Sequence, residues 1–111
     1  MLCNAALILT QMLYYEGRGE DLQGQLAILR VVENRLDYET ETYCDVVTEP
    51  NQFAYGEVPE NTEQEIIVDL YLTEELQAPI WSEEKSFFYS GEKPYWAEGK
   101  SCITHGSHIF C

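Results

Sequence analysis

The stretch Asp21-Leu22-Gln23-Gly24-Gln25-Leu26-Ala27-Ile28-Leu29-Arg30-Val31-Val32-Glu33-Asn34-Arg35-Leu36 decides the fold. Leu22, Leu26, Leu29, Val32 and Leu36 recur at helical spacing, which makes one face apolar and requires other elements to cover it. Asp21 stands where a side-chain oxygen can accept from the free N–H groups of a first turn. The pattern predicts a helix from Asp21 to about Leu36. Gln25 and Asn34 flank the stripe and read as structural. At the helix end Arg35 meets the negative pole of the dipole, and Asn34 can cap or bond a neighbouring loop.

Outward from this helix the chain is punctuated clearly. Upstream, Asn4 caps a first helix predicted from Ala5 to about Tyr15, with Leu9, Met12 and Leu13 inward, and Gly17 and Gly19 break it. Downstream, Tyr43 to Val47 reads as a single helical turn, and Pro50 to Pro59 as irregular. Thr62-x-x-Glu65 has capping-box spacing and starts a third long helix. Its predicted inner face is Ile66, Ile67, Leu70 and Tyr71, and its predicted end is Pro79. Lys85 to Tyr89 and Ser101 to His105 then read as short strands, and His108 to Cys111 as a strand or tail. Helices first and short strands last predict an α+β protein with a small antiparallel sheet. With no repeat, low-complexity tract or linker, residues 1–111 read as one domain.

Composition narrows the function. At 111 residues, 45% hydrophobic and 23% charged, the chain has room for one core. Twenty acidic residues against six basic give a net charge of −14. A polyphosphate backbone requires clustered Lys and Arg, so nucleic acid and anionic membrane surfaces are excluded as expected partners. Eight Tyr and two Trp supply flat, half-polar surfaces suited to a sugar- or partner-binding groove. Leu2 to Leu9 is fairly apolar but lacks Lys, Arg and a small-residue cleavage site, so a signal peptide is not expected. No stretch approaches the roughly 18 apolar residues of a membrane span.

The cysteines, Cys3, Cys44, Cys102 and Cys111, show no close pair and no adjoining histidine, so zinc-ligand spacing is absent. Three disulfide connectivities are open. The reading preferred here is four buried free thiols in a protein made in the cytoplasm. His105-x-x-His108 lacks a third ligand nearby, and neither metal nor cofactor is expected.

Chemistry concentrates in Tyr14-Tyr15-Glu16-Gly17-Arg18-Gly19-Glu20, where one helix stops before the next begins. A carboxyl at a helix end against tyrosine rings is partly desolvated, which favours the protonated form and suits a general acid. Arg18 opposes that effect. An ordinary solvated turn with an Arg–Glu pair is the competing reading. Gln52-Phe53 and Tyr95-Trp96 lie in aromatic loops; Phe53 and Trp96 can line a groove or plug the core.

These pieces, in order, resemble the cell-wall hydrolase family of the spore-cortex-lytic enzymes. The leading motif Glu-Ala-Arg-Gly-Glu matches Glu16-Gly17-Arg18-Gly19-Glu20, followed by Gly24-Gln25 and Asn34-Arg35. Cys44-Asp45-Val46, Gln52-Phe53, Trp96 and Gly106-Ser107-His108-Ile109-Phe110 complete the set over nearly the whole chain. Gly17 replaces the usual Ala, which is expected to loosen the helix end.

The resemblance implies a lysozyme-like fold, with a helical lobe and a small β lobe around a glycan groove. It implies peptidoglycan as partner and cleavage between N-acetylmuramic acid and N-acetylglucosamine, of the lytic transglycosylase or muramidase type. Glu16 is the implied catalytic residue. Tyr15, Arg18, Glu20, Gln25, Gln52, Phe53, Tyr89, Trp96 and His108 are the expected substrate-binding or site-supporting set. Glu20 reads as a structural partner of Arg18 or a cap for the second helix. A phage endolysin or virion-associated lysin suits so compact a form. It would be made in the host cytoplasm and act at the cell wall or travel in a virion, with other virion or lysis proteins as further partners. Two readings compete: an inactive lysozyme-like structural or glycan-binding virion protein, and a small acidic regulator of a basic partner.

Overall fold

The computed structural model describes residues 2–111 and has the expected α+β architecture. Four helices, α1 (Ala5–Gly17), α2 (Leu22–Asn34), α3 (Tyr43–Val47) and α4 (Glu63–Leu72), precede a three-stranded antiparallel sheet. Its strands are β1 (Phe88–Tyr89), β2 (Ile103–His105) and β3 (His108–Phe110), in the order β1-β3-β2. Two short 3-10 turns, Ile80–Ser82 and Tyr95–Ala97, lie in the segments between. No helix among the described residues is long and apolar enough to cross a membrane.

Each helix starts where its cap stands. Asn4, Asp21, Thr42 and Thr62 accept from the backbone of Leu7, Gly24, Asp45 and Glu65, satisfying first-turn donors that have no partner within the helix. Helix α1 packs on all three other helices and buries Leu9, Met12 and Leu13 completely. It runs two residues past the expected end. Gly17 is helical and buried, and a Cβ there would stand 2.6 Å from Ile28 Cδ1. The glycine therefore lets α1 and α2 approach closely and does not break the helix.

Helix α2 is buried beyond its stripe: Ala27, Ile28 and Val31 join Leu26, Leu29 and Val32 at no more than 1% exposure. The predicted stripe errs at its start, because Leu22 is 42% exposed in the first turn, while Leu36 lies past the final residue, Asn34, yet still packs against the core. Helix α4 departs more. Ile66 faces outward at 60% exposure, while Ile67, Val68 and Tyr71 turn inward. The helix ends at Leu72, well before Pro79, because Glu74 takes a left-handed conformation (φ 64°). The Glu75 and Leu76 N–H groups then fold back onto the Leu70 carbonyl, a hydrogen-bonded stop that needs no proline.

The strands are shorter than their apolar runs, but pairing continues beyond them. Phe88 faces Phe110, and Ile103 faces Phe110 from the other side. The Cys111 N–H donates to the Phe87 carbonyl, and the Cys111 carbonyl accepts from Ser86 and Phe87. Asn34 ties this region to α2 by donating to the Ser82 and Lys85 carbonyls.

The free-thiol expectation is wrong. Cys3 pairs with Cys44, and Cys102 with Cys111. Packing of α3 on α1 brings the first pair together across 41 residues. The β2–β3 register sets Cys102 against Cys111, one step beyond Ile103 and Phe110. Sequence spacing carries neither fact. Under denaturing, non-reducing conditions thiol titration should find no free thiol. By loop closure, breaking Cys3–Cys44 should cost about 4 kcal/mol and breaking Cys102–Cys111 about 3 kcal/mol in denaturant melts of paired Cys→Ser variants.

Candidate functional site

The last turn of α1 places Glu16 on the wall of a cleft of about 510 Å³. Val31 and Arg35 of the α2 region, Asn51, Gln52 and Phe53 of the irregular loop, and Phe87, Phe88, Trp96 and Lys100 complete it. Glu16 is the one carboxyl-bearing residue in that lining. Burial raises its pKa from the ordinary carboxyl value, and a hydrogen bond from the Ala54 backbone opposes the rise without cancelling it. A raised pKa favours the protonated form, the form that can donate a proton to a bound oxygen.

The aromatic wall is built in two layers. Phe87 meets Trp96 at 5.3 Å between ring centroids, and Tyr89 meets Trp96 edge-on at 5.6 Å. Phe88 contacts Phe53 at 6.2 Å, Phe110 at 5.7 Å and His108 at 5.1 Å. Arg35 closes one side: its guanidinium lies over Phe53 and Phe87 and donates to Gln52 Oε1 at 2.6 Å. Burial lowers the Arg35 pKa, and the Glu49 and Glu41 carboxylates push it back up.

Glu20 does something different from Glu16. Its side chain is 10% exposed. The Ser107 N–H donates to Oε1 at 3.0 Å, the Ser107 hydroxyl to Oε2 at 2.7 Å, and His108 Nδ1 lies 3.4 Å from Oε1. Desolvation pushes the Glu20 pKa up, but these bonds and the His108 interaction outweigh it, so the net shift is down. Asp21 accepts from the Gly24 N–H and contacts His105 Nε2, each at 2.8 Å. The hairpin is thus clamped to the α1–α2 turn. Gly106, with φ 60°, cannot be replaced freely, because a Cβ would collide with Glu20 Oε1.

The structure brings Glu16, Gln52, Phe53 and Trp96 together in the cleft. Tyr89 and His108 stand behind it, supporting Trp96 and Phe88. Gln25 is buried, donates to the Glu20 carbonyl and accepts from Gln64, so it is structural. Tyr15 lies outside the lining; its hydroxyl donates to the Glu57 carbonyl, and its ring packs on Gly56. Arg18 also lies outside it and stacks on Tyr14 at 4.4 Å. The expected Arg18–Glu20 pair does not form, because Glu20 turns to the hairpin, and Asp21 caps α2. Sequence reasoning did not place Arg35, Asn51, Phe87, Phe88 or Lys100 in the site. Only the Asn34-Arg35 pair gave a usable signal, and it read as a helix-end charge.

The family model described as Cell Wall Hydrolase matches residues 19–111, a range that begins just after Glu16. The spore cortex-lytic enzyme of Bacillus subtilis (strain 168) is 31% identical over an alignment of 119 residues that covers 97% of this chain. The chain spans 37% of that relative's length. No solved structure matches.

The Glu20 clamp has a measurable worth. Glu20→Ala removes the acceptor of two bonds from Ser107, whose donors water can reach, and should cost about 0.5–1.5 kcal/mol in denaturant melts. The Glu20 pKa is lowered by folding, so its contribution is present above the ordinary carboxyl pKa and is lost as pH falls through the native value. The difference between the parent and Glu20→Ala should therefore shrink at acid pH.

Proposed function

Because the chain belongs to the cell wall hydrolase family, we propose that residues 1–111 form one catalytic unit that cleaves the glycan backbone of bacterial peptidoglycan. The bond is that between N-acetylmuramic acid and N-acetylglucosamine, and the chemistry is that of a lytic transglycosylase on a lysozyme-like scaffold. The observation that carries this reading is the lone, half-buried Glu16 with its raised pKa in an aromatic cleft. A hydrolytic glycosidase ordinarily uses two carboxyl groups across the bond. A single one suffices when the sugar's own C6 hydroxyl replaces water.

Glu16 donates its proton to the glycosidic oxygen as the C1–O bond breaks. The C6 hydroxyl oxygen then bonds to C1, and its proton passes to the Glu16 carboxylate, which restores the acid and leaves a 1,6-anhydro end. Trp96, Phe87 and Phe53 present ring faces to the sugars, and Gln52, held by Arg35, offers its amide N–H groups. The disulfides fit work in an oxidising compartment such as the cell wall. Delivery as a phage lysin, alongside other virion or lysis proteins, belongs to the same proposal.

Glu16→Gln should lower turbidity clearance of purified murein by about 10²–10⁴-fold. A folded, fully active variant would remove Glu16 from the acid role. Mass spectrometry of wild-type products should show 1,6-anhydro ends and no oxygen taken from isotopically labelled water; reducing ends would replace the transglycosylase by a hydrolase. Activity should fall as pH rises through the raised Glu16 pKa. The same group sets a stability test. Its folded-state pKa is raised, so its stabilising contribution is complete at acid pH and is lost as pH rises through the native value. Glu16→Gln should therefore unfold at equal or higher denaturant than the parent at neutral pH.

A further inference from the structure

Basic side chains are scarce in this chain, six against twenty acidic, yet two of them line the cleft, where Glu16 is the one carboxyl-bearing residue. Arg35 and Lys100 line it, and both approach the Phe87 ring, at 4.8 and 5.6 Å from its centroid. Lys85 Nζ donates to the Ser101 carbonyl at 2.9 Å, beside Lys100.

Their commitments differ. Arg35 is 15% exposed, bonded to Gln52 and 3.8 Å from Glu49. Elsewhere, Arg30 pairs with Glu33 and Lys93 with Glu98. Lys100 is exposed, and among the described residues no carboxylate lies within ion-pair distance of it. Among these residues Arg18 and Lys85 also lack an acidic partner, but neither lines the cleft; Lys100 is the cleft's cation without one. Lys100 and Arg35 both approach the Phe87 ring, and their like charges repel. A carboxylate arriving in the cleft would offset that repulsion and bond to the ammonium.

Resting on the glycan-cleaving reading, we infer that Lys100 forms a carboxylate-binding subsite of the cleft. The strand is then seated with a muramyl unit whose lactyl or stem-peptide carboxylate meets the Lys100 ammonium. Phe87 and Trp96 offer ring faces to any amino sugar, so they supply affinity without discrimination. Lys100 supplies the discrimination between muramyl-containing strands and neutral polymers of N-acetylglucosamine. It also offsets locally the repulsion that a net charge of −14 exerts on an anionic wall.

The test uses binding, measured by titration calorimetry in the Glu16→Gln background so that no ligand is consumed. Four probes are compared at low ionic strength: glycan strands with stem peptides, strands freed of peptides by an amidase, the same strands with carboxyls converted to amides, and a chitooligosaccharide of matched length. Adding Lys100→Gln should weaken binding about tenfold for a carboxylate-bearing strand, the loss expected for one charged hydrogen bond. The loss should shrink as salt rises. Amidated strands and the chitooligosaccharide should bind unchanged, and Lys100→Arg should restore most of the affinity. Loss on peptide-bearing strands alone assigns the stem peptide; loss on peptide-free strands assigns the lactyl group. Equal affinities with and without Lys100→Gln, an equal loss on all four probes, or no binding to any of them overturns the inference. Cleavage by the unsubstituted protein judges the catalytic reading separately: selective binding through Lys100 without cleavage keeps the subsite and removes the catalysis.

Discussion

The Glu20 carboxylate lies between the α1–α2 turn and the β2–β3 hairpin, and both of its oxygens accept from Ser107. This contact sets how the helices and the sheet meet. The turn carries Glu16 four residues upstream, and the hairpin carries His108, whose ring packs edge-on against Phe88 of the cleft wall. The candidate acid and the surface facing it therefore belong to two parts of the chain joined through one nearly buried group. Gly106 serves the same contact by leaving room for Oε1.

Two carboxyl groups four residues apart are driven in opposite directions by their surroundings. Glu16 loses water to an aromatic cleft, and this outweighs the one backbone bond that favours its charged form, so its proton is held more tightly. Glu20 loses water too, but two donors from Ser107 and the nearby His108 favour its charged form. Environment, rather than residue type, separates a candidate acid from a fastener. The clamp in turn keeps the turn carrying Glu16 in place against the β part.

Covalent links reinforce the same arrangement. Cys3–Cys44 ties the chain just before α1 to α3, and α1 packs on every other helix. Cys102–Cys111 closes the hairpin at the end where Cys111 pairs with Ser86 and Phe87, so it also steadies the aromatic wall. The close crossing of α1 and α2 at Gly17 brings the end of α1 beside α2, and Glu16 and Val31 share the cleft.

The sequence by itself determined the helix starts, the α+β order and the family. Caps at Asn4, Asp21, Thr42 and Thr62 act within one turn, and an ordered set of short motifs survives in linear order. It also singled out Glu16, Gln52, Phe53 and Trp96, because a carboxyl at a helix end and aromatics in loops are local signals. The folded backbone and tertiary structure decided the rest. The α4 stop depends on a left-handed Glu74 and a fold-back onto Leu70, which residue type at Glu74 does not announce. Disulfide pairing follows helix packing and hairpin register, and Cys spacing encodes neither. Arg18 lost Glu20 to a serine 87 positions away. Arg35 and Lys100, 65 positions apart, became cleft residues only in the folded chain, where both approach the Phe87 ring. The last three cases share one physical reason: caps and periodicity are short-range, whereas the charge and burial of a site are set by groups the chain brings together from far apart.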